Sequence, residues 1–195
     1  MILPKRYNII YIDPPWRYAK KSMQYSTSKS NMAAEKKYGT MSIEDLKKLP
    51  IGHLTQDNAL IFLWCTVPLI ENGFKLLKRW GFTYKTLLVW KKHNGSGYWF
   101  RGCLEVLLLA IKGKVKPFRY QKENFYACKG GNHSQKPSYF RTLIEKATKD
   151  TFKYTLKLEM FARSRDGMFS NIEYEGWDVY GNEVDDSIDI EKYIW

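Results

Sequence analysis

The sequence predicts one α/β domain in which helices cover both faces of a largely parallel, doubly wound sheet. Apolar runs of strand length alternate with segments of helical spacing along the 195 residues, and this alternation is typical of parallel sheets. The runs are nearly continuous, which indicates strands buried on both faces. Hydrophobic residues make up 44% of the chain, enough for a sizeable core at this length.

Five strands are predicted from these apolar runs. They span residues 8–12, 58–65, 85–92, 103–113 and 155–162. In such a sheet, ligands bind beyond the carboxyl ends of the strands. Asp13 and Arg163 directly follow two of these ends, and the long basic loops of the chain are expected to begin at the same edge.

Three helices are predicted between the strands. They span residues 41–49, 69–80 and 138–148. Ser42 can cap the first helix, with Asp45 three residues later, and Pro68 and Pro137 introduce the first turns of the other two. Gly81 marks the end of the second helix.

The positive charge is concentrated in two segments. The formal net charge is +12, of which residues 17–37 contribute +5 and residues 112–136 contribute +6. Both fall in long loops, predicted at 17–40 and 114–136, in which aromatic residues stand among the lysines. If the loops meet at one face, they form a surface for phosphates and stacked bases. The alternative is two solvated loops. Residues 184–195 are expected to form an acidic, peripheral tail.

Cysteine usage indicates a reduced, intracellular setting. Cys65, Cys103 and Cys128 are odd in number and widely spaced, which fits neither a disulfide framework nor a zinc site, so no metal is expected. The first residues lack the apolar stretch of a secretory signal. No apolar run approaches the ~20 residues needed to cross a bilayer. We therefore expect a cytoplasmic protein that does not enter a membrane.

Two chemistries common in α/β proteins lack their sequence signals here. Phosphoryl transfer on this scaffold needs GxxxxGK[ST], and hydride transfer needs GxGxxG after a strand. The chain contains neither, and the Gly130-Gly131 pair is followed by Asn132 and His133. Nucleotide hydrolysis and nicotinamide chemistry are therefore disfavoured.

The segment Asp13-Pro14-Pro15-Trp16 follows the first predicted strand. Asp13 offers a carboxylate, and Pro14, held extended by the proline after it, offers a backbone carbonyl nearby. Two acceptors suit the two hydrogens of an exocyclic amine on a nucleobase, and Trp16 offers a face for stacking. Holding both hydrogens favours a pyramidal nitrogen whose lone pair can attack. The alternative for the tripeptide alone is a strand-ending turn.

Eight segments occur in an order that characterises one known family. They are DPPW (13–16), YGTMS (38–42), LIFLWCT (60–66), WGFTYKTLLVWKK (80–92), GYWFRG with a following Glu (97–105), HSQKP (133–137), LEMFAR (158–163) and GWDVYGNE (176–183). With them the chain resembles the MT-A70 family of S-adenosylmethionine-dependent adenine N6-methyltransferases. The resemblance implies a single domain with a Rossmann-like class I methyltransferase fold in circularly permuted motif order. The catalytic strand then comes first, and LEMFAR is the cofactor strand near the C-terminus.

The resemblance also implies roles for individual residues. Asp13 and the Pro14 carbonyl hold the adenine amine, while Pro15 and Trp16 shape its pocket. The residues implied for S-adenosylmethionine are Asp13, Lys136 at the cofactor's carboxylate, and Arg163, Asn182 and Glu183 at its ribose and methionine parts; Trp16, Tyr38 and Glu105 are those implied for the acceptor.

Each of these assignments has a structural alternative. Lys136 can be an ordinary loop lysine, Glu105 an ordinary strand-edge acid, and Arg163 can pair with Asp166 or Asp178. Three tryptophans in or beside the apolar strands are expected in the core. They are Trp64, Trp90 and Trp99.

The function implied by the resemblance is methyl transfer from S-adenosylmethionine to adenine N6 in nucleic acid, with DNA favoured over RNA. In a duplex the target base must leave the stack. Two alternatives stay open: cytosine N4-methylation, which uses the same two-acceptor logic, and a non-catalytic nucleic-acid-binding subunit. The sequence leaves a homodimer open as well.

Overall fold

The computed structural model describes residues 5–18, 39–96, 99–120, 122–128, 136–162, 174–182, 184 and 186–193. Its strands are β1 (Tyr7–Ile12), β2 (Thr55–Thr66), β3 (Thr83–Ser96), β4 (Gly102–Lys112), β5 (Phe125–Ala127), β6 (Lys157–Met160) and β7 (Asp178–Tyr180). Its helices are α1 (Ile43–Lys48), α2 (Ile51–Leu54), α3 (Ile70–Arg79) and α4 (Tyr139–Thr148), with 3₁₀ turns at Val67–Leu69 and Ile190–Tyr193.

The seven strands of the described residues form one sheet in the order β5-β3-β4-β2-β1-β6-β7. β1 pairs in parallel with β2 on one side and β6 on the other, and the pairs β6–β7 and β3–β5 are also parallel. β4 runs antiparallel between β2 and β3. The chain moves from β1 toward one edge and from β6 toward the other, so the strand order reverses between β1 and β6. This arrangement confirms the predicted α/β, Rossmann-like fold class in permuted order.

Five of the seven strands in the described residues follow the predicted apolar runs, whereas the sequence does not predict β5 and β7 (Asp178–Tyr180). β6 covers four residues within the predicted 155–162. β5 lies inside 114–136, which the sequence analysis assigns wholly to a loop. Its three residues are exposed or half-buried and pair with β3 at the edge of the sheet. An edge strand this short leaves no apolar run for a sequence pattern to detect.

The second basic loop begins at the opposite edge from the one predicted. Because β4 is antiparallel, it ends at the amino-terminal edge of the parallel strands, where the Lys114 amide donates to Asn58 Oδ1 at 2.7 Å. The ammonium of Lys112 donates to Gly52 O at 2.8 Å and to Thr55 Oγ1 at 3.2 Å. The expectation that this loop begins beside Asp13 is therefore wrong, and Lys112 has a structural role.

Alternate residues of the central strands pack on the two faces of the sheet, as expected for strands buried on both sides. In β1, Ile10 and Ile12 pack on the face covered by α1, α2 and α3. Ile9 and Tyr11 pack on the other face, with residues of α4. All six residues of β1 are buried, so its carboxyl end is fixed from both sides.

Two expectations about burial are wrong. Trp64 and Trp90 are buried as predicted, but Trp99 is 95% exposed because it lies beyond the sheet, in the connection from β3 to β4. The acidic tail is not wholly peripheral, since Ile190 and Tyr193 are buried in the core on the face of the sheet that α1, α2 and α3 cover. The Tyr193 hydroxyl donates to the backbone oxygen of Lys5, which joins the two ends of the described chain.

The predicted helix signals are confirmed at α1 and α3. The backbone amide of Asp45 donates to Ser42 Oγ at 3.2 Å, which caps α1. Gly81, just past α3, has φ of 83°, a conformation that favours glycine. Within the described residues, every helix is too short or too polar to cross a membrane.

The packing of α3 on the sheet gives a first prediction. A Cβ on Gly73 would lie 2.4 Å from Cys65 Sγ and 2.9 Å from Leu108 Cδ1. We expect Gly73→Ala to lower the free energy of unfolding by about 1–3 kcal/mol through overpacking, although alanine is the better helix former. Gly52→Ala is the control, because the nearest atom to its Cβ is Trp80 O at 3.5 Å. Urea denaturation measures both; equal stability of the two variants contradicts the prediction.

Candidate active site

Asp13 lies at the point where the strand order reverses. Ile12, the last residue of β1, pairs with Leu63 of β2 and with Met160 of β6, so Asp13 follows at the crevice between the two halves of the sheet. Its backbone amide reaches Met160 O at 3.4 Å. In open α/β sheets this crevice is where ligands bind.

Four charged side chains form a continuous chain of ion pairs at this edge. Lys136 Nζ donates to both carboxylate oxygens of Asp13, at 2.9 and 2.8 Å. The same ammonium lies 3.2 Å from Glu105 Oε2. Lys92 Nζ in turn lies 2.7 Å from Glu105 Oε1. Two acids and two bases therefore alternate, and their formal charges cancel.

The antiparallel direction of β4 explains how Glu105 reaches the site. Glu105 lies near the start of β4 and pairs with Thr66 at the end of β2 and with Trp90 on β3. Because β4 runs against its neighbours, its first residues lie at the edge where β1 ends. Lys136 comes from the chain just before α4, which packs on the sheet through buried Phe140.

Burial and pairing oppose each other in the protonation of this cluster. Burial raises the pKa of Glu105, but Lys136 and Lys92 outweigh it, and the pKa lies below its usual value. Burial lowers the pKa of Lys136, but Asp13 and Glu105 outweigh it, and that pKa lies above its usual value. The side chains of Glu105 and Lys136 are 9% and 13% exposed. Both groups therefore stay charged throughout the neutral range.

Aromatic rings form the floor of the site. The ammonium of Lys136 lies 5.4 Å from the centre of the Trp64 ring, within cation–π range. Trp64 is fully buried, and its Nε1 donates to the Tyr11 hydroxyl at 2.8 Å. Trp16 Nε1 donates to Trp64 O at 3.1 Å. The indole of Trp16 is thus tied to β2 and packs against the core on the α1–α3 side of the sheet, and it is only half-buried.

The backbone of the two prolines is also fixed. The Pro14 carbonyl accepts from the Trp16 amide at 2.8 Å, and the Pro15 carbonyl accepts from Met41 N at 2.8 Å. A carbonyl oxygen has two lone pairs. Pro14 O therefore keeps one acceptor position beyond its bond to Trp16, which the proposed amine contact requires.

The carboxyl ends of β6 and β7 complete this edge. Phe161, directly after β6, has φ of 61°, a left-handed conformation that costs a non-glycine residue free energy. The turn places the Ala162 amide on Tyr180 O at 3.0 Å. Gly181 and exposed Asn182 follow β7. A strained residue at a ligand edge is a typical feature of a functional site.

The structure brings together some of the predicted residues. Asp13, Lys136 and Glu105 form one ion-paired cluster, and Trp16 lies beside it. Asn182 lies at the end of β7 on the same edge of the sheet. The remaining candidates fall outside the described residues; they are Tyr38, Arg163 and Glu183.

Sequence reasoning misses Lys92 and Phe161. Lys92 carries a usable signal, because alternate residues of a strand share a face and Trp90 pairs directly with Glu105. Lys92, two residues along, then lies diagonally from that acid. Phe161 carries no signal, since its backbone conformation depends on how the chain crosses from β6 toward β7.

The sheet order, the antiparallel strand and the acid at the reversal point define a protein with the Rossmann-like methyltransferase fold. Residues 7–183 match the MT-A70 family, and the chain belongs to that family. The resemblance inferred from the ordered motifs is therefore confirmed.

Three relatives are informative. The Type II methyltransferase M.MunI of Mycoplasma sp is 34% identical over 200 residues, which cover 94% of this chain and 80% of M.MunI. The putative N(6)-adenosine-methyltransferase MT-A70-like of Medicago truncatula is 27% identical over 188 residues, 92% of this chain and 26% of that protein. The N6-adenosine-methyltransferase non-catalytic subunit MTB of Arabidopsis thaliana is 27% identical over 122 residues, 57% of this chain and 15% of its own length. The chain thus spans most of M.MunI but only about a quarter and about a seventh of the two plant proteins.

The ion-pair chain predicts a pH-dependent contribution to stability. We expect Glu105→Gln to lower the free energy of unfolding by about 1–3 kcal/mol at neutral pH, since two charge-assisted bonds are lost. The pKa of Glu105 is lowered in the folded state, so this stabilisation is present above the unfolded value of about 4.3 and disappears as pH falls through the lower, folded value.

Denaturant unfolding between pH 3 and pH 8 measures this difference. Glu44→Gln is the control, because Glu44 forms an exposed ion pair with Lys47, worth a few tenths of a kcal/mol. A stability gap between wild type and Glu105→Gln that persists unchanged below pH 4 contradicts the assignment.

Proposed function

We propose that the protein transfers a methyl group from S-adenosylmethionine to N6 of adenine in DNA. The observation that carries the proposal is the carboxylate of Asp13, bonded by Lys136 and placed where the strand order reverses. Membership of the MT-A70 family and similarity to M.MunI support methyl transfer as the reaction class.

Asp13 and Pro14 bind and orient the amine in this proposal. One Asp13 oxygen and the second lone pair of the Pro14 carbonyl accept the two N6 hydrogens. Lys136 fixes the direction of the Asp13 carboxylate by donating to both of its oxygens. N6 would attack the methyl carbon as the methyl–sulfur bond breaks, which leaves the donor as a neutral thioether. The nitrogen would then be cationic until a proton leaves to water, and the Asp13 carboxylate would stabilise that charge. Trp16, fixed through its Nε1, stacks on the base.

The donor set at the edge fits S-adenosylmethionine. This cofactor supplies an electrophilic methyl group on a cationic sulfur, with a carboxylate and a ribose diol for recognition. Lys136 directs its three donors at Asp13 and Glu105, and in this proposal one of them turns to the cofactor's carboxylate. Asn182, after β7, suits the ribose diol, as a polar residue does at this position in other α/β sheets. Arg163 and Glu183 complete the proposed set.

DNA is the proposed acceptor because the chain spans 80% of M.MunI at 34% identity and is less similar to the proteins described as adenosine methyltransferases. The alternative that RNA is the acceptor rests on the word adenosine in those names. The alternative of a non-catalytic subunit rests on the similarity to MTB. The intact Asp13–Lys136 pair favours an active enzyme instead. Cytoplasmic localisation and a homodimer stay predictions.

The acceptor and the product can be identified in one assay. Purified protein is incubated with labelled S-adenosylmethionine and duplex DNA, single-stranded DNA or RNA, and the nucleosides are then separated. We expect N6-methyladenine from duplex DNA. N4-methylcytosine, or label in RNA alone, would replace the proposed acceptor, and no label in any nucleic acid would overturn the function.

The role of Asp13 is tested by Asp13→Ala. We expect methyl transfer to fall by at least about 10³-fold, because both an acceptor and the charge beside N6 are lost. Circular dichroism should show a folded protein, since Glu105 still pairs with Lys136. Asp57→Ala is the control, because its side chain is 91% exposed at the opposite edge. Methyl transfer at the wild-type rate by folded Asp13→Ala would contradict the proposed role of Asp13.

A further inference from the structure

The connection between β3 and β4 projects beyond the sheet. β2 ends at Thr66, opposite Glu105, and β5 reaches β3 only as far as Lys91. β3 and β4 continue past these points to Ser96 and Gly102, which still pair with each other. Residues 91–96 and 99–104, here called the arm, therefore form a ribbon that has no neighbouring strand among the described residues apart from the pairing of Lys91 with Ala127.

The arm extends from the edge that carries Asp13. Glu105 pairs with Trp90 at the base of the arm and belongs to the ion-pair cluster of Asp13. Ser96 lies six positions beyond Trp90, which corresponds to about 20 Å in an extended strand. An isolated two-stranded ribbon is only marginally stable in water, so the arm adds little to the stability of the fold.

The end of the arm exposes two adjacent aromatic side chains. Trp99 is 95% exposed and Phe100 is 91% exposed. Single exposed apolar residues are ordinary, but two large neighbouring rings with almost no protein contact indicate a binding surface.

The charge of the arm favours a polyanion as its partner. Residues 91–104 contain Lys91, Lys92, His93 and Arg101 and no aspartate or glutamate. Lys91, His93 and Arg101 are exposed, whereas Lys92 pairs with Glu105. A two-stranded ribbon also fits the major groove of B-DNA, and exposed rings beside cations are suited to stacking on bases.

We propose that the arm enters duplex DNA and that Trp99 and Phe100 stack in the space that the extruded adenine leaves. Extruding a base costs stacking and pairing free energy, and apolar or aromatic side chains inserted at a base step take the place of the lost contacts. The inference rests on the proposed function, because a target base must leave the helix to reach Asp13.

The test uses binding, which does not depend on the recognition sequence or on catalysis. The probes are a fluorescent 20-base-pair duplex and the same duplex with one central abasic site. Wild type should prefer the abasic duplex by about tenfold, since the space for a ring is already open. The variant Trp99→Ala/Phe100→Ala should lose that preference, and its kcat/KM for methylation of native genomic DNA should fall about tenfold to a hundredfold.

Tyr154→Ala is the matched control. Tyr154 is also an exposed aromatic residue beside a cation, Lys153, but it lies before the start of β6, at the opposite edge of the sheet. This variant should keep the wild-type preference and activity.

Three results would overturn the inference. They are an unchanged abasic preference in the double variant, no preference in wild type, and a wild-type dimer that becomes monomeric in the double variant by light scattering, which would assign the arm to a second copy. If wild type binds DNA with the abasic preference but methylates no nucleic acid, loss of that preference in the double variant would instead uphold the arm and overturn the proposed function.

Discussion

The structure of the site depends on one ammonium group held between two carboxylates. Removing Asp13, Glu105 and Lys136 from water costs free energy that only close pairing can offset. Lys136 Nζ lies within 3.2 Å of both acids, and Lys92 supplies the second positive charge that Glu105 requires. Because Lys136 bonds both carboxylate oxygens of Asp13 and is itself held by Glu105, the cluster fixes the position of the Asp13 side chain more firmly than the backbone alone can.

The antiparallel direction of β4 allows this cluster to form, because it places Glu105 at the same edge of the sheet as Asp13. If β4 ran with its neighbours, its start, and Glu105 with it, would lie at the far edge of the sheet. Its reversal brings Glu105 to Lys136. The same reversal has two further consequences: the arm projects from the edge that carries Asp13, and the basic segment after β4 begins at the other edge, where Lys112 donates to Gly52 O.

The sequence predicts those features that depend on local pattern. Continuous apolar runs identify the buried strands β1 to β4, a serine with the correct spacing identifies the cap of α1, and ordered motifs identify the family. Features that depend on contacts between distant parts of the chain are not predicted from the sequence. Trp99 is a large apolar residue beside the apolar strands and is therefore expected in the core. It is exposed because β3 and β4 extend beyond the neighbouring strands. Tyr193 lies in an acidic segment and is buried because the tail returns to β1.

Because the cluster is neutral, the attraction of phosphates and the stabilisation of charge at the site depend on different groups. Asp13, Lys136, Glu105 and Lys92 cancel in formal charge, so the cluster adds nothing to the attraction of phosphates, although the chain carries +12 overall. Attraction must therefore come from groups outside it, such as the exposed cations of the arm. This division suits the proposed reaction, because a net positive rim would oppose both a cationic sulfur and a positive charge developing on N6. In that proposal the Asp13 carboxylate would stabilise the developing charge, and the surface around the neutral cluster would bind the polyanion.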